Sequence, residues 1–427
     1  MGASMNKGHR GKATFLNSIA IENYRSCLRT RIDFHPNLSV LIGPNSSGKT
    51  NILQAILFLN RMAREYEYGP SQHGAIATNS RIKAAFERSG AQIHLKASVD
   101  AYTDESNNDV MVDSRQKWSL KGQRGRRTFL EIPLPLLGPF ASSRERDQYA
   151  YRWYRSHQSS FIRLPGVLEI PDWVGRVLGS VAQYCAGIRY YGASQFTNPG
   201  SCPVSFEIEQ EGKQRRLLLL RGHARTLYNM YSAQKAEANR QYKQFMDIVG
   251  PKGLRLIDDL TFREVRTSST EYSVRVGGKV ESRRRNKLLV IPQFRLGKHR
   301  LSPNQLSEGT FKTLALLFHL TTEESTALLI EEPEVCVHHG LLSSILELVK
   351  SYSRHKQMIL STHSDYVLDH VSPENVYRVT FDKSSGTLAR PIRKTMTAKE
   401  YSALRGYLEQ EGNLGEYWRE GGLGDRP

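Results

Sequence analysis

Five consecutive apolar or small residues, Leu38-Ser39-Val40-Leu41-Ile42, run without a charge and stop at a glycine. A short uninterrupted run of this kind is the signature of a strand buried on both faces. From Ile52 to Met62 the apolar positions recur every three or four residues, which predicts an amphipathic helix packed on that strand. Ala91 to Val99 instead alternates, as a half-buried strand does, and residues 70 to 135 as a whole read as β-rich, broken by the polar stretch Asp104 to Asp109. Residues 136 to 185 are rich in proline, aromatics and arginine and read as helical or irregular; Ile188 to Tyr191 reads as a return to the sheet. Helix formers fill 223 to 249 and Gly250-Pro251 stops them, so one helix is expected there, with strand-like segments following to about residue 296. The remainder reads helix (Gln305 to Leu320), strand (Ala327 to Ile330), helix (Gly340 to Arg354), strand (Gln357 to Ser361). That alternation predicts parallel strands joined by crossover helices, hence an α/β fold.

The chemistry begins where the first buried strand ends. Gly43-Pro44-Asn45-Ser46-Ser47-Gly48-Lys49-Thr50 reads G-x-x-x-x-G-K-T, with a strand before it and a helix after it. Its glycines allow a tight turn whose N–H groups converge on an anion at the positive end of the next helix. Lys49 supplies a cation for the β/γ-phosphates, Thr50 a hydroxyl for Mg²⁺, and Asn51 follows on the helix. Far downstream, Leu328-Leu329-Ile330-Glu331-Glu332-Pro333-Glu334 is an apolar run that delivers carboxylates at its end. Such acids suit nucleotide chemistry at a strand terminus, with Glu331 toward Mg²⁺ and Glu332 toward the attacking water, and equally suit the start of a helix. Ser307-Glu308-Gly309-Thr310 opens a helix and serves either an anion or an ordinary cap. His363, in Ser361-Thr362-His363-Ser364, follows a strand, where it reaches a γ-phosphate or is simply structural.

The order of these four motifs resembles the nucleotide-binding head of ABC-type ATPases, in the SMC/RecF branch. Within that branch the chain resembles the prokaryotic AAA-family ATPases of the OLD (overcoming-lysogenization-defect) group. The opening Ile21-Glu22-Asn23-Tyr24-Arg25-Ser26, the run Glu331-Glu332-Pro333-Glu334 with His338, and the tail from Gly412 to Gly424 carry the resemblance. It implies an ABC-type P-loop ATPase head, a mixed sheet plus a parallel core with helices, interrupted by an inserted helical/β lobe. The expected boundaries are a basic terminus over 1–14, a P-loop lobe over 15–135, a variable insert over 136–300 and a second ATPase lobe over 301–427. The resemblance assigns Gly43, Asn45, Ser46, Ser47, Gly48, Lys49, Thr50 and Asn51 to the nucleotide, and Thr50 and Glu331 to Mg²⁺. Glu332 becomes the catalytic base and His363 the switch histidine. Ser307 and Gly309 would touch the γ-phosphate held by a second copy, so that ATP closes a two-fold dimer. Gln195, in Gly192-Ala193-Ser194-Gln195-Phe196, is the candidate glutamine-loop ligand of the metal, or a solvated loop glutamine. His339 stands where the family usually has proline.

Composition adds the partners. The chain has 427 residues and a formal net charge of +18, which suits a polyanion. Two basic runs, around Arg124, Arg126 and Arg127 and at Arg283, Arg284 and Arg285, fit phosphates, and Tyr149 to Arg155, with Arg152, mixes aromatics with arginine. Each has a plainer reading, as solvated loop or packed helix. Four cysteines without C-x-x-C spacing fit neither zinc nor a disulfide framework, so a reducing cytoplasm is expected. No apolar run approaches a membrane span and the start lacks an apolar leader segment. Only about 45 residues follow the last head strand, too few for a TOPRIM nuclease domain, so a nuclease or toxin effector would be a separate chain. The expected function is a Mg-dependent ATPase, ATP to ADP and phosphate, that acts as sensor and scaffold in anti-phage defence. A RecF-like DNA-repair ATPase and an ATP-gated scaffold with little turnover are the alternatives.

Overall fold

The computed structural model describes residues 14–64, 80–88, 91–104, 109–121, 127–133, 180–181, 183–209, 222–236, 239–274, 280–321, 325–335, 337–410 and 412–423. They divide into two compact units, one of residues 1–190, 324–331 and 353–427, the other of 191–323 and 332–352.

The first unit holds two six-stranded sheets. The nucleotide-side sheet has the order β16 (Gly386–Pro391), β15 (Val376–Asp382), β3 (Leu38–Ile42), β14 (Gln357–Thr362), β13 (Ala327–Glu331), β8 (Ile188–Gly192). β13, β14, β3 and β15 run parallel, as the alternating pattern predicts, and β16 returns antiparallel on β15. Every residue of β3 and β14 is buried, which explains their unbroken apolar runs. The second sheet is antiparallel, in the order β2 (Cys27–Asp33), β1 (Thr14–Tyr24), β4 (Ser80–Arg88), β5 (Ala91–Asp104), β6 (Asp109–Lys121), β7 (Arg127–Pro133). The polar break seen in the sequence falls between β5 and β6, whose last pair is Asp104 with Asp109.

Helix α1 (Lys49–Arg64) presses Ile52, Leu53, Ile56 and Leu59 into the core shared with β1 and β4. Each fully buried aliphatic side chain contributes roughly 1.5–3 kcal/mol, more than any surface contact of the helix. A buried amide also joins the two sheets. Gln357 at the start of β14 accepts from the Leu16 N–H at 3.0 Å and donates to the carbonyls of Leu16 at 2.9 Å and His35 at 3.0 Å. The Tyr184 hydroxyl adds a fourth bond to the Gln357 Oε1 at 2.5 Å. A buried amide with all these partners specifies how the sheets meet, whereas an unpaired one costs a few kcal/mol.

The second unit carries β9 (Phe206–Glu209), β10 (Asp259–Val274), β11 (Val280–Leu296) and β12 (His299–Leu301) in one antiparallel sheet. The helix expected over 223–249 is two helices, α2 (Gly222–Lys235) and α3 (Arg240–Val249). Asn239 takes a φ of 26° between them, a backbone state asparagine tolerates better than most residues, so the chain turns there. Helices α4 (Glu308–Thr321) and α5 (His339–Tyr352) complete this unit. In the first unit α6 (Asp365–Leu368), α7 (Ile392–Thr395), α8 (Ala398–Glu409) and α9 (Leu414–Arg419) follow β14. The tail is ordered through backbone contact. Gly415 lies so close to the Asp365 carbonyl that a β-carbon would collide with it, its N–H bonds Asp369 Oδ1 at 2.9 Å, and Arg419 pairs with Asp365 at 2.9 Å.

Candidate nucleotide site

Register fixes the geometry of the site. Leu41, Ser361 and Glu331 stand in one row across β3, β14 and β13. Gly43 follows the end of β3, His363 the end of β14, and Glu331 is the last residue of β13. The P-loop, the histidine and the first acid therefore leave the sheet together at the carboxyl ends of its parallel strands, where ligands bind in open α/β sheets.

The loop between β3 and α1 has the conformation that an anion cradle needs. Ser46 takes a φ of 64° and Gly48 one of 101°, and such alternation turns successive N–H groups inward. Gly48 admits no side chain, because a β-carbon there would collide with Thr387 Oγ1 and lie 2.8 Å from Ser26 Oγ. Gly43 is equally confined, against the Val379 carbonyl. Thr387 bonds Ser26 Oγ at 2.7 Å, donates to the Ser47 carbonyl at 3.0 Å and accepts at its own carbonyl from Thr30 at 2.5 Å. Asn51 reaches Ser26 Oγ at 2.6 Å. The turn of the β1–β2 hairpin and the start of β16 thus clamp the loop from outside.

The donor set fits a phosphate and Mg²⁺. Lys49 is buried and its ammonium folds onto the carbonyls of Gly43 at 2.7 Å and Pro44 at 3.0 Å, so the charge is stored within the loop that would receive phosphate. Ser47 Oγ is buried without a hydrogen-bond partner, a donor available to an anion oxygen. Thr50 donates to Glu331 Oε1, and Tyr190 on β8 donates to Glu331 Oε2. One hydroxyl and one carboxylate are hard oxygen ligands of the kind Mg²⁺ takes when substrate phosphates supply the rest. Among the described residues no group of three or more His, Cys, Asp or Glu gathers to hold a metal alone.

The remaining candidates lie in the second unit, apart from His363. Glu332 has a φ of 49°, a left-handed turn immediately after Glu331 that ends the strand ahead of Pro333. His338 caps α5, its Nδ1 accepting from Gly340 N–H at 3.3 Å. His339 is the first residue of that helix, the position where proline also fits, so its presence leaves the helix start intact. Ser307 is exposed and caps α4 by accepting from Thr310 N–H at 3.1 Å. Beside it Glu308 pairs with the fully buried Lys312 at 2.6 Å, and Gly309 lies in the first turn. Gln195 is exposed in the 3-10 turn Ala193–Phe196.

Of the basic candidates, Arg127 opens β7, and Arg283, Arg284 and Arg285 lie on β11 opposite Glu271, Thr270 and Ser269. Arg124, Arg126 and Arg152 lie outside the described residues. Cys27, Cys185 and Cys202 are buried and free, and burial pushes the thiols of Cys185 and Cys202 up to about 12. Among the described residues no helix is long and apolar enough to cross a membrane.

Tyr190 and Thr387 are neighbours of the candidate site that motif reasoning missed, and Ser26 enters that reasoning only as part of the opening motif. The strand around Tyr190 was legible, but its place beside β13 was not.

Comparison with known proteins agrees with the P-loop geometry. Residues 15–132 match the family described as "AAA ATPase domain", and residues 203–369 the family described as "AAA domain, putative AbiEii toxin, Type IV TA system". The DNA replication and repair protein RecF of Lactococcus lactis is 50% identical over 44 residues, 10% of this chain and 12% of that protein. RecF of Lactobacillus acidophilus is 42% identical over 45 residues, again 12% of its length. The chain thus matches about an eighth of the length of these curated relatives. Among solved structures, an Smc head bound to the C-winged helix domain of ScpA aligns with a TM-score of 0.44 and 14% identity, covering 90% of this chain and 99% of that one. The SMC head domain of Thermotoga maritima aligns with a TM-score of 0.35 and 15% identity, over 88% and 98%. Two stretches of the chain are thus similar to AAA-type ATPase domains, and the first of them contains the P-loop at the end of β3.

Proposed function

We propose that this chain binds Mg-ATP and hydrolyses it to ADP and phosphate as an ABC-type head in which two copies share each nucleotide. The observation that carries this reading is the Thr50–Glu331 hydrogen bond beside a P-loop shaped by Gly43 and Gly48. Lys49 would leave its two loop carbonyls for phosphate oxygens, and Thr50 and Glu331 would hold Mg²⁺. Bound there, Mg²⁺ neutralises charge on the phosphates and orients them. Glu332 would take a proton from the attacking water, and His363 would bond the γ-phosphate. Ser307 and Gly309 at the start of α4 would meet the γ-phosphate held by the other copy, so that ATP closes the dimer and its hydrolysis loosens it.

The output would be control of a separate nuclease or toxin in anti-phage defence, a step that rests on the likeness to the OLD group. The Lys49→Ala protein is expected to lose nucleotide binding, and Glu332→Gln to accumulate as an ATP-bound dimer. Light scattering behind size exclusion, with Mg-ATP present, reads both. A Glu332→Gln protein that turns over ATP at the wild-type rate overturns the base assignment, and one that stays a monomer overturns the shared site.

The short RecF match and the +18 charge favour a second reading, direct action on DNA. ATP turnover stimulated by duplex DNA, and losing that stimulation steeply as salt rises, would select it.

A further inference from the structure

We infer that Tyr190 is the positioning residue of the candidate Mg²⁺ carboxylate, an assignment that rests on the Mg-ATP reading above. Glu331 ends β13, and a glutamate at a strand terminus has three side-chain torsions, the last of them broad and weakly restrained. The structure removes that freedom by binding the two oxygens to different elements. Thr50 at the start of α1 holds Oε1, and Tyr190 on the neighbouring edge strand β8 holds Oε2. With one bond the carboxylate still swings about the other oxygen; with two its plane is set.

The phenol is well suited to this task. Its ring packs against the hydrophobic core of the first unit together with Leu57, so the hydroxyl is delivered from a fixed body. Among the described residues β8 is the last strand of the sheet, with β13 as its neighbour. Tyr191, one position on, is buried and points its hydroxyl to the Lys312 carbonyl at 3.2 Å, as alternation along a strand requires. Tyr190 therefore faces β13 and bonds Glu331. Because Tyr190 bonds Oε2 and Thr50 bonds Oε1, the oxygen held beside Thr50, where the cation is proposed, is Oε1. Groups that orient a metal-binding side chain in this way change metal affinity by about 10–100-fold when removed.

The experiment is a titration of a fluorescent ATP analogue against wild type and Tyr190→Phe, followed by anisotropy, in EDTA and across a Mg²⁺ series. Phenylalanine keeps the ring packing, and thermal unfolding of the nucleotide-free proteins checks that it does. The expected result is an unchanged affinity in EDTA and a Mg²⁺ requirement raised by about tenfold or more. In a Glu331→Gln background the same change is expected to add little, because the two groups act as one unit. An unaltered Mg²⁺ requirement in Tyr190→Phe overturns the assignment. Equal loss of affinity with and without Mg²⁺ also overturns it, since that marks a merely structural tyrosine. A wild-type protein that binds no nucleotide under any condition overturns the Mg-ATP reading itself.

Discussion

The P-loop and the Ser307–Thr310 turn are both helix starts rich in small polar residues, yet the fold treats them oppositely. At the start of α1 the lysine is buried, Ser47 Oγ is left unbonded, and two glycines are locked by distant strands. At the start of α4 the serine is exposed and already bonds its own helix, to Thr310 N–H and Thr310 Oγ1. The first is a completed receptacle within one unit. The second is a satisfied cap, whose hydroxyl a phosphate would have to share on the proposed reading. A site divided between two copies needs that asymmetry: one half must bind nucleotide by itself, and the other must stay stable while nothing is bound.

The contrast can be broken most forcefully at Gly48. Gly48→Ala adds a β-carbon against Thr387 and forces a left-handed backbone, a strain of about 1–3 kcal/mol before the collision is counted. Nucleotide affinity is expected to fall by about 100-fold or more, equivalent to about 2.7 kcal/mol. Titration of the fluorescent analogue measures it, and adding Thr387→Ala, which clears the collision with Thr387 but neither the close Ser26 Oγ nor the strained φ, should recover part of the loss. A middle-sized effect is expected from Thr387→Val, which keeps the shape but removes the bonds to Ser26 and the Ser47 carbonyl. Unfolding in denaturant should show about 1–3 kcal/mol of lost stability, the cost of leaving buried groups unpaired. If stability and affinity are both unchanged, the clamp is not what shapes the loop. The smallest effect on the isolated chain belongs to Ser307→Ala, which removes a cap worth about 1 kcal/mol. Single-chain nucleotide affinity should be unchanged while dimer-dependent turnover falls; a loss of affinity in the monomer would erase the distinction between the two helix starts.

What the sequence disclosed follows the range of the interactions involved. The strand, loop and helix around Lys49 are contiguous, and their pattern alone gives the element order and the candidate phosphate ligands. The parallel strands β13 and β14 are visible for the same reason, as apolar runs that end in chemistry. Tyr190 escaped because its role depends on β8 lying beside β13, a neighbour relation that no local pattern encodes. The turn at Asn239 escaped because strong helix formers on both sides masked one residue in a left-handed state. Strand β11 carries Arg283 to Arg285, a run whose composition alone reads equally well as a solvated loop.

Ser26 and Thr387, which grip the P-loop together, are 361 positions apart. A ribosome releases the first that far ahead of the second, and long-range pairings of this kind are made late. The loop that carries Lys49 thus emerges well before the brace that β16 supplies. Nascent chains arrested before residue 387 have the whole G-x-x-x-x-G-K-T motif and lack the frame that gives it shape, so the loop takes its cradle form only after β16 has arrived.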